Sequence, residues 1–540
     1  MAITCVSAMA QTAADATKPP ALDQKPLALD QQIAALVSQP AVARAHWGVI
    51  VTTLDGKPIH ALNEAQLFQP DSNAKLFTTA AAMALLGPHQ RFTTRIEYGS
   101  VGSKDMTIYG DIVIIGTGDG NLSSNDFPYH TPGETKNAPE AEIPPLHYLI
   151  EVADEIAAAG VKRLKGDVIG DDTVFPWEPY PQGWSIDDMV WGYGAPVSAL
   201  SINDNQLKVT VTSGPDRNHH TPTVAIAPAM PYYTLDTSKL HTSGAITNQV
   251  YIDRVPGSKI LQVSGWIAFD SPDVEEIAIA DPAEYAATAL KSMLEARGVE
   301  VRGKALARHW IANSHAFAQE ANQTAWLFPI YPRPGGLYCS NCGRPQLNAG
   351  ETVIATHRSA SLLDDVMVTN KVSQNLHAEI LLRDLGEWLT TMGSTEEGVR
   401  VVREFLERAG IDPNDFVFYD GSGLSSYDLV TPRAIAKLLS YAAHDPKTGQ
   451  PQPWFAAWKD SLPIGGVDGT LADRFTKASL KGHVFAKTGT HSEGRALSGY
   501  LDCASGQTVI FSILVENHLP GDTADRDAMD KIVAAIAAAE

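Results

Sequence analysis

Apolar positions change their period twice within the first ninety residues. Leu27 to Val37 reads as an amphipathic helix, and Trp47 to Leu54 as a buried strand. Asp55-Gly56 is a hairpin turn signal, and the chain returns through Pro58 to Leu62. An apolar run from Leu76 to Leu86 predicts a buried helix, which Gly87-Pro88 stops. Beyond Gln90 short β-like segments take over: Ile112 to Ile115, Val168-Ile169, Leu207 to Val211, Val250 to Ile252 and Ile260 to Val263. Gly, Asp and Pro turns separate them. One helical run, Leu146 to Ala159, interrupts this region and a second, Pro282 to Ala296, closes it. Long helices return from Ser359, followed by strands Ala496 to Leu501 and Val509 to Val515 and a last helix, Ala528 to Ala539.

The simplest account is an α/β domain made from both ends of the chain, with a β-rich insertion between them. The early hairpin carries too little apolar surface to stand alone, so it needs the C-terminal strands. His315 to Gly350, rich in Pro, Gly and Asn, reads as an irregular excursion.

A length of 540 residues favours several domains over one core. With 44% hydrophobic and 19% charged residues the composition is that of a globular protein. A net charge of −21 argues against nucleic acid or an anionic membrane surface as partner. No apolar run approaches the ~20 residues that a membrane helix needs.

The N-terminal MAITCVSAMAQ has a short apolar stretch and an A-x-A site at Ala8-Met9-Ala10, and it reads as the tail of an export signal. Export would leave Cys339, Cys342 and Cys503 of the four cysteines, Cys5 being lost with the signal. Cys339-Ser-Asn-Cys342 can be half a zinc site, a redox pair or a local disulfide; in an exported protein the disulfide is preferred.

Ser72-Asn73-Ala74-Lys75 puts a hydroxyl and an amine one helical turn apart at the start of the Leu76 helix. A serine activated by a neighbouring lysine needs that arrangement. Two later motifs give it weight. Lys487-Thr488-Gly489 lies in a strand-like context, where Lys and Thr can hold a carboxylate while the backbone pairs with an extended peptide. A second triplet, Lys447-Thr448-Gly449, is flanked by prolines and fits a surface turn. S-x-N occurs at Ser123, Ser201 and Ser373, and only Ser373-Gln374-Asn375 sits among helices of the C-terminal half. Residues i and i+2 diverge on a regular helix, so that pair belongs at a loop or helix start facing a cleft.

The ordered set S-x-x-K, S-x-N, K-T-G is shared by penicillin-binding proteins and class A β-lactamases. The chain resembles the DacB-type D-alanyl-D-alanine carboxypeptidase/endopeptidases, the class C low-molecular-mass penicillin-binding proteins. Tyr193 to Asn205, Gly166 to Asp172, Tyr419 to Ser425 and Val368 to Glu379 all look like that family's segments. So does the long separation of Ser72 from Ser373; the loop around Cys339 departs from the pattern.

The resemblance implies a serine β-lactamase/transpeptidase-like domain from residues 25–92 and 350–540. It also implies one inserted domain from 93–205 and 268–310, a second β-rich one from 206–267, and the irregular loop at 311–349, after a signal remnant at 1–24. It implies a periplasmic enzyme that cleaves D-Ala-D-Ala bonds and D-Ala cross-links of peptidoglycan through an acyl-enzyme and is inhibited by β-lactams. The alternative is a serine β-lactamase or esterase of the same fold.

In this scheme Ser72 is the nucleophile and Lys75 its base, provided that burial and the second cation Lys487 depress the Lys75 pKa. Ser373 relays a proton to the leaving amine, Asn375 holds the substrate backbone and steadies Lys75, and Lys487 and Thr488 bind the terminal carboxylate beside Gly489 and Thr490. The resemblance further makes the N–H groups of Ser72 and Thr490 the oxyanion donors. Trp184 and Asp187, in Gly183-Trp-Ser-Ile-Asp187, would face the site, with the acid pairing with a stem-peptide amine. The expected partners are peptidoglycan stem peptides and β-lactam antibiotics, and the chemistry needs no metal or organic cofactor.

Other motifs have plainer readings. His377 is expected to be a satisfied structural histidine, and Asp420 to Gly423 a tight turn in the cleft wall. Gly116-Thr-Gly-Asp-Gly120 lacks the final glycine of a nucleotide loop, and His219-His220 lacks partners at metal spacing.

Overall fold

The structure is a computed structural model that describes residues 28–311 and 352–540, apart from 103, 121, 123–128, 132–143, 215–220, 492, 520 and 522. The A-x-A site, Cys5, Ser123, His219-His220 and the Cys339–Cys342 excursion lie outside the described residues.

Strand Thr508–Glu516 holds the main domain together. Its sequence TVIFSILVE is buried along nearly its whole length, as a strand covered on both faces must be. Ile510 and Leu514 point into one core, and Phe511, Ile513 and Val515 into another. On one side it pairs antiparallel with His46–Thr53, from His46↔Glu516 to Thr53↔Val509. On the other it pairs with Gly494–Asp502, which in turn pairs with Val484–Thr490. Pro58–Leu62 completes a five-stranded antiparallel sheet in which both ends of the chain are neighbours. The hairpin turn at Asp55-Gly56 forms as its sequence requires, with Gly56 at φ 82°.

Two helical layers cover the sheet. Ala74–Leu85, Leu362–Lys371, Asn375–Thr390, Thr395–Arg408 and Pro432–Ala443 supply the first core, around Phe77, Leu381 and Leu438. Leu29–Val37 and Ala524–Ala539 pack together on the opposite face, around Ile33 and Ile532.

The described residues between Leu85 and Leu362 form a β-rich body. A seven-stranded mixed sheet, including Thr93–Gly102, Thr107–Ile115 and Val168–Pro176, is backed by helices His147–Ala158 and Pro282–Ala296. Two three-stranded sheets adjoin it. Two strands cross the boundaries expected from the sequence. Asp273–Ala278 pairs with Gln206–Thr212, so it belongs with the sheet of the 206–267 segment. Thr352–Arg358 pairs with Thr93–Gly102, which places 352–358 in the inserted sheet, where it covers an edge that would otherwise be open. Among the described residues no helix is long and apolar enough to cross a membrane.

Because Ile513 and Leu514 serve opposite cores, Ile513→Ala and Leu514→Ala should each destabilise the sheet by about 2–5 kcal/mol. Urea unfolding of the two variants measures this, and an unaltered midpoint for either would remove that core from the account.

Candidate active site

Ser72 sits in the middle of a single 3-10 turn, Asp71–Asn73, that runs directly into helix Ala74–Leu85. Between Pro70 and Met83 it is the one residue that is not buried, so the helix presents a single hydroxyl to the cleft. The turn is tight: Asp71 has φ 46°, in the left-handed region. Space for it comes from Gly423 and Gly489. A Cβ on Gly423 would lie 1.8 Å from the Asp71 carbonyl oxygen, and one on Gly489 would lie 2.8 Å from the Asp71 Cβ.

Lys75, one turn beyond Ser72, is wholly enclosed. Its Nζ lies 3.0 Å from Ser72 Oγ, 2.6 Å from Asn375 Oδ1 and 2.7 Å from the Ser422 carbonyl oxygen. Burial pushes its pKa down to about 8, against the pull of Asp420, Glu379 and Asp71. Two of those carboxyls are themselves held partly protonated: burial and the Glu516 charge raise Asp71 to about 8, and burial and Asp420 raise Glu379 to about 8.

Ser373 and Asn375 reach the same cleft because the helix breaks there. Ser373 takes φ 62°, and the Gln374 side chain accepts from Leu376 N to cap helix Asn375–Thr390. The kink turns Ser373 Oγ towards Lys487 Nζ, 2.9 Å away, while Asn375 Nδ2 donates to the Tyr193 carbonyl at 2.9 Å.

Lys487 is on strand Val484–Thr490 and is fully buried, its Nζ also donating to the Thr488 carbonyl at 2.9 Å. Burial and the nearby Lys75 charge hold its pKa well below the usual lysine value. The strand is tied to the Ser72 turn by Asn73 Nδ2, which donates to the Lys487 carbonyl at 3.2 Å. Thr488 and Thr470 share a hydrogen bond between hydroxyls at 2.7 Å. Thr490 is exposed at the strand end, opposite Arg495.

Hydrogen bonds therefore join Ser72, Lys75, Ser373, Asn375, Lys487 and Thr488 to one cleft, with Gly489 and Thr490 on the same strand. Lys447-Thr448-Gly449 lies in an exposed turn, and Ser201 is buried against Ser198 elsewhere. Trp184 is buried. Its indole N–H donates to Asp420 Oδ2 at 2.9 Å, and its ring is buried with Val197, Leu376 and Ile380. An indole with its N–H and faces so occupied supports the cleft wall from behind. Asp187 is exposed and opens the short helical turn Ile186–Val190, two residues beyond Ser185, whose hydroxyl accepts its N–H.

Several residues that hold the site carry no motif. Glu379 Oε1 accepts from Gly421 N at 3.0 Å and Ser422 N at 2.8 Å, fixing the carbonyl that anchors Lys75. Asp420 accepts from the N–H groups of Ser422, Gly423 and Ser425. Glu379 lies four residues after Asn375, the same face of one helix, and that spacing is the only sequence signal for it. His377 is buried between Asp365 at 2.7 Å and Asp204 at 3.3 Å. Burial alone would lower its pKa, but the two acids push it up to about 10. It is a structural cation, away from Ser72's hydrogen bonds.

Comparison with known proteins adds a family. The model for the D-Ala-D-Ala carboxypeptidase 3 (S13) family matches residues 29–324 and 334–539. The D-alanyl-D-alanine carboxypeptidase of Actinomadura sp. (strain R39) is 30% identical over 509 residues, 92% of this chain and 82% of that one. D-alanyl-D-alanine carboxypeptidase DacB of Haemophilus influenzae is 24% identical over 471 residues, 84% of this chain and 81% of that one. Among solved structures, penicillin binding protein 4 (dacB) from Haemophilus influenzae has the same fold. Its TM-score is 0.70 at 21% identity, covering 93% of this chain and 97% of that one.

Gly423→Ala combines a positive φ with a backbone clash, so it should lower stability by about 1–3 kcal/mol or more. Thermal unfolding followed by circular dichroism reads this, and an unchanged midpoint would mean that the turn does not press on Asp71.

Proposed function

The chain belongs to the D-Ala-D-Ala carboxypeptidase 3 (S13) family and is a serine-type hydrolase of it, and we propose that Ser72 is the nucleophile that cleaves peptidoglycan stem peptides at D-Ala. The observation that carries this reading is the enclosure of Lys75. A neutral amine has two hydrogens and one lone pair. The Asn375 amide oxygen and the Ser422 carbonyl can only accept, so they take the two hydrogens. The lone pair is then left for the Ser72 hydroxyl, 3.0 Å away.

The steps follow from that geometry. Ser72 Oγ attacks the carbonyl carbon of the penultimate D-Ala as its proton passes to Lys75 Nζ. The oxyanion is held by the N–H groups of Ser72 and Thr490. When the C–N bond breaks, the proton taken by Lys75 is returned to the departing amine through Ser373, whose hydroxyl lies beside Lys487 Nζ. Water then attacks the ester, giving one proton to the now neutral Lys75, which passes it to Ser72 Oγ as the ester bond breaks. Lys487 and Thr488 hold the terminal carboxylate while Gly489 and Thr490 pair with the extended peptide, and Asn375 orients its backbone. Two buried lysines so close cannot both stay charged at little cost, so the proton is shared unequally. In our scheme Lys75 is the base in its neutral form, which gains ground as pH rises through about 8.

Free D-Ala as leaving group makes this a carboxypeptidase, and a cross-linked neighbour makes it an endopeptidase; the acylation half is common to both. We place the reaction in the periplasm, where such peptides are, and assign exposed Asp187 to the amine of the stem-peptide side chain. A β-lactam ring would be opened by the same attack and stall at the ester.

Mass spectrometry after brief exposure to penicillin, with peptide mapping, should find a long-lived adduct on Ser72. Destruction of the penicillin without an adduct would make the chain a β-lactamase instead. The rate of that acylation should also rise as pH increases through about 8, because the protonated form of Lys75 predominates below that value and cannot accept a proton. A rate that is flat across this range, or that falls, would remove Lys75 as the base.

A further inference from the structure

Thr470 belongs to no motif used so far, yet its surroundings are built with care. It lies in the 3-10 turn Gly469–Leu471, within Pro463-Ile-Gly-Gly-Val-Asp-Gly-Thr-Leu471, and its side chain is exposed. The turn is braced on every side. Asp468 Oδ1 accepts from Ile464 N at 2.8 Å, and its Oδ2 makes a buried ion pair with Lys371 at 2.6 Å. The Pro463 carbonyl accepts from Ala486 N at 3.0 Å, which fastens the turn to the strand that carries Lys487 and Thr488. Gly469 has φ 56°, and a Cβ there would lie 2.7 Å from the Lys371 carbonyl oxygen, so the chain passes closer to helix Leu362–Lys371 than any side chain would allow. Gly469 N also donates to the Tyr129 hydroxyl at 2.8 Å, a contact made by the inserted part of the chain.

A surface threonine needs no such support for stability, and the ring of restraints fixes one thing in the cleft. That is the Thr470 hydroxyl, 2.7 Å from the hydroxyl of Thr488. One hydrogen lies between the two oxygens. The other is left over, whichever residue donates, and is available to an acceptor in the cleft. A neutral hydroxyl pair beside the buried Lys487 suits an anionic, two-oxygen acceptor, which on binding would exchange the bond between the two threonines for one hydrogen bond from each hydroxyl.

We propose that Thr470 is a second hydroxyl ligand for the terminal carboxylate of the substrate, acting with Thr488. This rests on the peptidase reading above and extends its specificity for a free C-terminus. An amidated end, lacking that anion, would lose the second bond as well as the first.

The test uses the full chain and two thioester substrates, one ending in a free carboxylate and the other in a carboxamide. Thr470→Val keeps the shape and removes the hydroxyl, and Thr470→Ser restores it. For Thr470→Val we expect KM for the free acid to rise about tenfold, the loss of one hydrogen bond to a charged group, with kcat nearly unchanged. KM for the carboxamide should stay at the wild-type value, and Thr470→Ser should recover most of the loss. An unchanged KM for the free acid, or equal losses on both substrates, would overturn the proposal, since a merely structural role would affect both alike. The wild-type enzyme separates this from the reading beneath it. Cleavage by wild type with no effect of Thr470→Val sinks only the carboxylate ligand; no cleavage and no Ser72 adduct sinks the peptidase.

Discussion

The cleft depends on keeping one ammonium group out of water. Lys75 is buried at the heart of the catalytic domain, and its Nζ is held by a hydroxyl, an amide oxygen and a backbone carbonyl that arrive from three segments of the chain. Each has its own scaffold: the turn before helix Ala74–Leu85, the kinked start of Asn375–Thr390, and the Asp420–Gly423 turn. Such burial disfavours the charged amine, and the enzyme offsets part of the penalty with Asp420, Glu379 and Asp71. Too strong an offset would fix the proton on Lys75 permanently. Burial raises Glu379 and Asp71 to about 8 as well, which weakens their pull, and the pKa of the amine falls to about 8.

The inserted body is part of the cleft's architecture as well as an appendage. Tyr193 gives its carbonyl to Asn375, Trp184 gives its N–H to Asp420, and Tyr129 gives its hydroxyl to Gly469. Gly183 also lies so close to Ser425 and Tyr427 that a Cβ there would meet the Ser425 hydroxyl at 2.4 Å. These contacts fall on motif-bearing segments or on the turns beside them. A shift of the inserted body would therefore disturb Asn375 and the wall behind Lys75 together.

Much of this was legible in the sequence because local chemistry and global fold agree there. The Asp55-Gly56 hairpin and the Gly87-Pro88 stop set elements whose limits need no tertiary information. Ser72 and Lys75 were legible for the same reason, since a one-turn separation on a helix fixes their distance. Ser373 and Asn375 required a break that only the left-handed φ at Ser373 supplies, and their residue types hint at it without placing it. Asp420 was legible only as part of a turn in the cleft wall, and Glu379 and Thr470 gave little sign. Their roles come from bonds to residues far along the chain, and acids and threonines are common in ordinary helices and turns. The G-W-x-x-D pattern alone does not tell which way the Trp184 indole turns. The strand pairings of Asp273–Ala278 and Thr352–Arg358 were missed because pairing partners are set by register across the sheet, which periodicity along one strand does not contain.

The pairing of His46–Thr53 with Thr508–Glu516 also dictates an order of events in synthesis. A ribosome releases the segment bearing Ser72 early, but the strand bearing Lys487 and the strand that joins it to the N-terminal hairpin emerge only at the end. Such distant partners make sheet closure a slow, late step. The inserted body, whose contacts are mostly its own, can fold while the serine waits. A truncated chain, or one still being made, would thus display Ser72 without the second lysine. On the mechanism proposed above, reactivity arrives only with these late strands, and the serine stays silent until they pair.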